Sequence, residues 1–160
     1  MNEKEMAYFY ENYSENIYNL LINEYLIIRD SEANIVDTVC WTNNGYRMLK
    51  HHSFNSRHFG EVKPYKNDIY QALLADSLLN NKITLIKGPA GTGKTYLSLA
   101  FLLSQLERGK IDKIVVFCNT VATKNSAKLG YYPGTRDEKL LDSQIGNLLI
   151  SKLGGRMIVD

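Results

Sequence analysis

Eight consecutive residues, Gly88-Pro89-Ala90-Gly91-Thr92-Gly93-Lys94-Thr95, constrain this 160-residue chain more than any other stretch. They satisfy the pattern G-x-x-x-x-G-K-[ST] without a mismatch. With Gly at about 7% of residues generally, and Lys and Ser/Thr of comparable frequency, chance places the pattern in about one chain of this length in a few hundred. Its flanks also fit. Lys82-Ile83-Thr84-Leu85-Ile86-Lys87 is a short apolar run with strand character. Tyr96 to Arg108 is rich in Leu and Ala and free of Gly and Pro, as a helix requires. Strand, glycine-rich loop and helix form the unit in which such a loop grips phosphate.

The residue types explain the grip. Glycines let the backbone curl so that several N–H groups converge, and they leave open the space that phosphate oxygens need. A helix opening near Lys94 adds about half a positive charge at its N-terminus. Lys94 is expected at the β- and γ-phosphates and the Thr95 hydroxyl at Mg²⁺. Gly88, Pro89, Ala90, Gly91, Thr92, Gly93, Lys94, Thr95 and Tyr96 are thus the candidate nucleotide contacts. Lys94 and Thr95 are the candidate catalytic residues, and Thr95 is the candidate metal ligand. The competing view is a glycine-rich turn that merely happens to hold Lys and Thr.

The length suits one ordinary domain, or one core with a small appendage. Net charge is only +2, too small for a global nucleic-acid footprint, but it is unevenly spread. Residues 1–60 hold five Lys/Arg against eight Asp/Glu, and residues 61–160 hold fourteen against nine. The basic half is the half that carries the loop, as polyphosphate binding favours. Cys40 and Cys118 are far apart, outside any C-x-x-C, and each lies in an apolar run. Both are expected as buried free thiols of a reducing compartment. The acidic start, Met1-Asn2-Glu3-Lys4-Glu5, does not resemble a signal peptide, and no apolar run approaches 18 residues. A cytoplasmic protein without a membrane partner is expected.

Residues 2–23 have helical spacing through Tyr10, Tyr13, Ile17, Leu20 and Leu21. The aromatics Tyr8, Phe9, Tyr10, Tyr13 and Tyr18 either pack on a core or form a stacking face for a partner. Residues 24–29 and 35–41 are β-branched and aromatic, with turn residues Asp30 to Asn34 between them. Asn43-Asn44-Gly45 is a second turn before Tyr46 to Leu49. A small antiparallel hairpin or three-stranded meander is expected, and a sheet this small needs a helix or the main core to cover it. His51, His52 and His58 lie in a polar stretch without further ligands at metal spacing, so a surface linker is expected there. A helix over about 69–79 is capped by Asn67 or Asp68 and ends at Asn80-Asn81. Gly109 suits the C′ position of the helix that follows the loop. Lys113 to Cys118 is a second strand, parallel to Lys82–Lys87, with Asn119 and Thr120 at the carboxyl end where ligands gather. Thr135 to Glu138 has the form of a capping box.

The Gly88–Tyr96 segment, together with Lys128-Leu129-Gly130-Tyr131-Tyr132-Pro133-Gly134-Thr135 and Glu138-Lys139, resembles the PhoH-like ATPases over roughly Pro64 to Gly155. The resemblance implies an α/β fold: a P-loop NTPase (RecA/helicase-like) parallel-sheet core, here incomplete, in residues 61–160, to which the patterning of residues 1–60 adds a small N-terminal α+β appendage. It implies ATP and Mg²⁺ as cofactors and descent shared with helicases of superfamily one. RNA or single-stranded nucleic acid is then an expected partner. Helicase-like cores also place a Gln upstream of the loop to pair with adenine, and Asn67 and Gln71 stand in that region. A carboxamide donates and accepts at once, as the N6 and N7 edge of adenine demands. The alternative for Gln71 is a solvated helix residue.

Two departures from the family pattern stand out. Asn119-Thr120 replaces an Arg-Pro pair, leaving Lys124 or Lys128 to supply charge. Met157-Ile158-Val159-Asp160 is a poor match to the acidic Walker B strand. Hydrolysis needs a carboxylate at the metal or water, so the sequence leads to an ATP-binding domain with poor turnover alone. It also leads to an oligomer or a missing C-terminal partner completing the sheet. Two other functions compete. One is a small-molecule phosphotransferase with its acceptor pocket in residues 121–139. The other is a non-hydrolysing, ATP-dependent interaction module.

Overall fold

The computed structural model describes residues 1–66 and 68–117, together with Gly146, Asn147 and Ser151. Within residues 1–117, the described residues form α1 (Glu3–Glu11), β1 (Tyr25–Arg29), β2 (Ile35–Thr42), β3 (Gly45–Met48), β4 (Phe54–Ser56), β5 (Gly60–Val62), α2 (Ile69–Asn80) and α3 (Lys94–Glu107). The chain forms two compact units, one of Met1–Ser53 with Lys63–Leu97, the other of Phe54–Val62 with Ser98–Asp160.

In the first unit, α1 opens with a capping box in which the Asn2 side chain accepts from Glu5 N and the Glu5 carboxylate accepts from Asn2 N. The expected helix over residues 2–23 is corrected to nine residues. Asparagine ends it. Asn12 turns its side-chain amide back onto Tyr8 O, and Asn16 bonds both the N–H and the carbonyl of Leu20. Asn19 and Asn23 take φ values of 51° and 69°, which no helix allows. Asn competes for backbone groups and tolerates the left-handed region, so four of them outweighed the apolar spacing.

The antiparallel sheet has the order β1-β2-β3. Its register pairs Leu26 with Val39, Tyr25 with Cys40, Trp41 with Tyr46 and Cys40 with Arg47. Alternation sends Leu26, Ile28, Val39, Trp41 and Tyr46 to one face. That face builds the core, where Phe9 of α1 is fully buried with Ile28, Val39 and Tyr46. The Phe9 ring meets Tyr46 edge-on at 5.1 Å and Tyr13 at 5.6 Å. The N-terminal aromatics are therefore core packing around Phe9, with Tyr8 left 57% exposed. The other face carries Tyr25, Cys40 and Arg47. Cys40 is a buried free thiol, and Cys118 lies outside the described residues.

Helix α2 is capped by Asp68, whose carboxylate accepts from Tyr70 N and Gln71 N. It buries Ala72, Ala75 and Asp76 on one side. In the second unit, residues expected as a surface linker instead form the antiparallel hairpin β4–β5. Phe54 stacks edge-on against Phe101 of α3 at 5.2 Å, and Arg57 N–H donates to both Glu107 oxygens at 3.0 Å. A three-residue turn, Arg57-His58-Phe59, closes it, and Gly60 opens β5 at φ 64°. Gly109 ends α3 as expected. It has φ 64°, its N–H reaches Leu106 O, and Lys110 N–H reaches Gln105 O.

The two runs expected as parallel neighbours, 82–87 and 113–118, form no ladder among the described residues. Ile83 and Leu85 are 90% and 94% exposed, and Phe117 is 93% exposed. A strand exists only through its neighbour, because its backbone donors and acceptors need partners outside their own segment. Apolar β-branched composition supplies the tendency without the partner. No described helix is long and apolar enough to cross a membrane. Asn119, Thr120, the capping box at Thr135, and Met157 to Asp160 lie outside the described residues, as does Asn67.

Candidate functional site

Residues 88–95 curl between the 82–87 run and the first turn of α3. Gly91 and Gly93 both adopt φ 78°, a conformation that costs an L side chain about 1–2 kcal/mol. Gly93 is constrained twice, because a Cβ there would stand 3.2 Å from Gln71 Nε2. Helix α3 starts at Lys94, and its first bond runs from Leu97 N–H to Gly93 O. Its N-terminus thus opens at the glycine curl, where an anion is favoured. Inside the loop the Thr92 hydroxyl donates to Pro89 O at 3.0 Å. Lys94 folds back over the same carbonyl, its ammonium donating to Pro89 O and, at 3.2 Å, to Thr92 Oγ1. The cation therefore sits across the loop rather than out in solvent. Thr95 is exposed in the first turn of α3, and Tyr96 is half-buried beside it.

Gln71, expected to face adenine, is brought to this loop by α2. Its side-chain NH₂ donates to Thr92 O at 3.1 Å, and its amide oxygen accepts from Tyr65 N–H at 2.9 Å. The carboxamide thus ties the segment before α2 to the loop, using a donor and an acceptor together. Helix α2 touches the same chain a second time, where Ser77 Oγ meets Thr84 Oγ1 at 3.2 Å. Among the predicted contacts, Gly88–Thr95 and Gln71 are brought together.

One buried carboxylate escaped the sequence reading. Asp76, with no exposed surface, projects from the apolar α2 into the Tyr25–Cys40–Arg47 face of the sheet. Arg47 grips it with two parallel bonds, Nη1 to Oδ1 at 2.9 Å and Nη2 to Oδ2 at 2.6 Å. Tyr25 Oη donates to Oδ2 at 2.8 Å, and His52 Nε2 lies 3.3 Å from Oδ1. Burial pushes the carboxyl upward, but the bonds from Arg47 and Tyr25 and the Arg47 charge outweigh it, and the net shift is downward. Burial, then the bond to Asp76, raises the Tyr25 phenol. His52, expected in a solvated linker, is part of this junction. The signal was present in sequence: a lone Asp among Ala72, Leu73, Leu74, Ala75, Leu78 and Leu79 must find a partner if that side is buried.

Residues 62–152 match a family model described as PhoH-like protein. Protein PhoH2 of Bacillus subtilis (strain 168) is 30% identical over 120 residues, covering 74% of this chain and 26% of that protein. A PhoH-like protein of Mycobacterium leprae (strain TN) is 36% identical over 70 residues, covering 44% and 20%. One from Mycobacterium tuberculosis (strain ATCC 25618 / H37Rv) is 33% identical over 85 residues, covering 53% and 23%. The matched part of this chain spans about a quarter or less of the length of these relatives. No solved structure matches it at a significant level.

Proposed function

Because the chain belongs to the PhoH-like family, whose domain is generally a P-loop ATPase, we propose that residues 88–96 bind ATP with Mg²⁺. One observation carries this reading: two glycines at φ 78° close the loop onto the start of α3 while the Lys94 ammonium lies across it. The residues fit the ligand. Backbone amides of Gly88 to Gly93 and of the first turn of α3 would hold the phosphate oxygens. Lys94 would exchange Pro89 O for the β- and γ-phosphates, and the exposed Thr95 hydroxyl would hold Mg²⁺. The metal, when bound, neutralises charge on the phosphates.

Gln71 supplies base preference in this reading, giving up Tyr65 N–H or Thr92 O to pair with adenine. In this reading the 82–87 and 113–118 runs belong to a helicase-related parallel core whose strand neighbours are supplied by assembly, with RNA or single-stranded nucleic acid as partner. Turnover by the isolated chain is slow. Two acids of the α2 segment, the helix that touches the loop, already serve elsewhere, which supports this: Asp68 caps α2 and Asp76 holds Arg47. Thermal unfolding with ATP, GTP and a non-hydrolysable ATP analogue, with and without Mg²⁺, tests the proposal. ATP and its analogue are expected to raise the midpoint more than GTP, with phosphate release at background. No shift with any nucleotide refutes binding, and rapid phosphate release that Lys94→Ala abolishes refutes slow turnover.

A further inference from the structure

The Asp76 junction lies outside the phosphate loop, yet both of α2's contacts to the loop segment start within two turns of it. Asp76 is five residues from Gln71 and adjacent to Ser77. On one side it is held by β1 through Tyr25, by β3 through Arg47, and by His52. On the other, Gln71 holds Thr92 O and Ser77 meets Thr84, four residues before Gly88. The sheet, α2 and the loop all belong to the first compact unit. A fully buried carboxylate with both oxygens engaged has one arrangement in which its bonds are satisfied, and α2 is locked in the position that allows it. A plain apolar contact would let α2 slide by an ångström at little cost, whereas a two-pronged guanidinium–carboxylate pair fixes direction as well as distance.

We propose that Asp76 is a positioning residue for the phosphate loop: paired with Arg47 and Tyr25, it transmits the register of the N-terminal sheet through α2 to Thr92 and Thr84. The inference rests on the reading of residues 88–95 as the phosphate loop. Residues 1–53 are then a support for the nucleotide site rather than a separate appendage. The loop's shape before nucleotide arrives depends on side chains of β1 and β3 that never touch the ligand.

Hydrogen–deuterium exchange of the full nucleotide-free chain provides a readout that does not need nucleotide binding. Arg47→Met is expected to speed exchange across residues 84–97 by about tenfold beyond the increase in α1 and β2 that the loss of global stability brings. Arg47→Lys, which retains a charge on Asp76, recovers part of that protection. In a Gln71→Ala, Thr84→Val background, where both relays are cut, Arg47→Met changes loop exchange less than about twofold. Tyr25→Phe, which removes one hydrogen bond and keeps the ring, gives a smaller effect of the same pattern and serves if Arg47→Met does not fold. Unchanged loop exchange on breaking the junction overturns the inference, and so does an equal increase with the relays already cut. ATP affinity is measured in parallel. A wild type that ignores ATP but shows the coupled exchange refutes the ligand and leaves the positioning role standing. A wild type that binds ATP with no coupling does the reverse.

Discussion

Gly93 combines a left-handed backbone with a close neighbour: φ 78°, and 3.2 Å from a prospective Cβ to Gln71 Nε2. Gly93→Ala is expected to cost about 1–2 kcal/mol in urea unfolding and to weaken nucleotide binding, because the Gln71 bond to Thr92 O must also yield. Gly88, at ordinary φ with no neighbour nearer than 3.8 Å, tolerates the same change better in the free protein. At Asp76 the same scale gives a larger effect. Arg47→Met strands a buried carboxylate and is expected to cost about 3–5 kcal/mol. The pH dependence follows from the downward shift. A folded value below the ordinary 3.8 contributes stability that is present above 3.8 and is lost as pH falls through the folded value. Urea midpoints of Asp76→Asn, measured from neutral to acid, should fall less steeply than those of the wild type. Tyr10 works in the opposite sense. Burial first, then its bond to Asp37, pushes the phenol up to about 12, so its contribution is present below 10 and is lost as pH rises through about 12. Spectrophotometric titration of Tyr10→Phe should lack one phenol ionising near 12.

Among elements, those announced by local chemistry were legible in sequence. The meander β1-β2-β3 followed from β-branched runs separated by Asp30–Asn34 and Asn43-Asn44-Gly45. Helix α2 followed from Asp68 as cap, and the end of α3 from Gly109. The elements misread depend on information that local patterning does not hold. Apolar spacing carried the first helix past Asn12, although Asn12, Asn16, Asn19 and Asn23 are each suited to leave it. The three-residue strands of β4–β5 are too short to show alternation, and they owe their place to Phe101 and Glu107, distant in sequence. One turn still holds strain. Ala33 sits at φ 66°, between strands β1 and β2, where it pays the left-handed penalty that glycine avoids. Ala33→Gly is expected to stabilise the sheet by up to about 1 kcal/mol, visible as a higher thermal midpoint. A lower midpoint would mean that the cost of glycine's freedom in the unfolded chain exceeds that strain.

On the scale of the whole molecule, the candidate site was legible because a phosphate loop is written in contiguous residues. Gly88 to Thr95 form the curl and the helix start that the pattern foretold. Gln71 was expected either to pair with adenine or to be a solvated helix residue; its carboxamide bonds Tyr65 N–H and Thr92 O. The Asp76 junction was not foreseen, since it joins residues 25, 47, 52 and 76 and only the folded sheet brings them together. Likewise, composition marked 82–87 and 113–118 as strands but could not say what pairs with them. The account stands or falls on the loop. In calorimetric titration of the full chain with ATP and Mg²⁺, one saturable site is predicted. Lys94→Ala should bind at least about tenfold more weakly, since a charge-assisted contact worth about 1.5–3 kcal/mol is lost. Equal affinity in the two proteins, or no binding by the wild type, would contradict it.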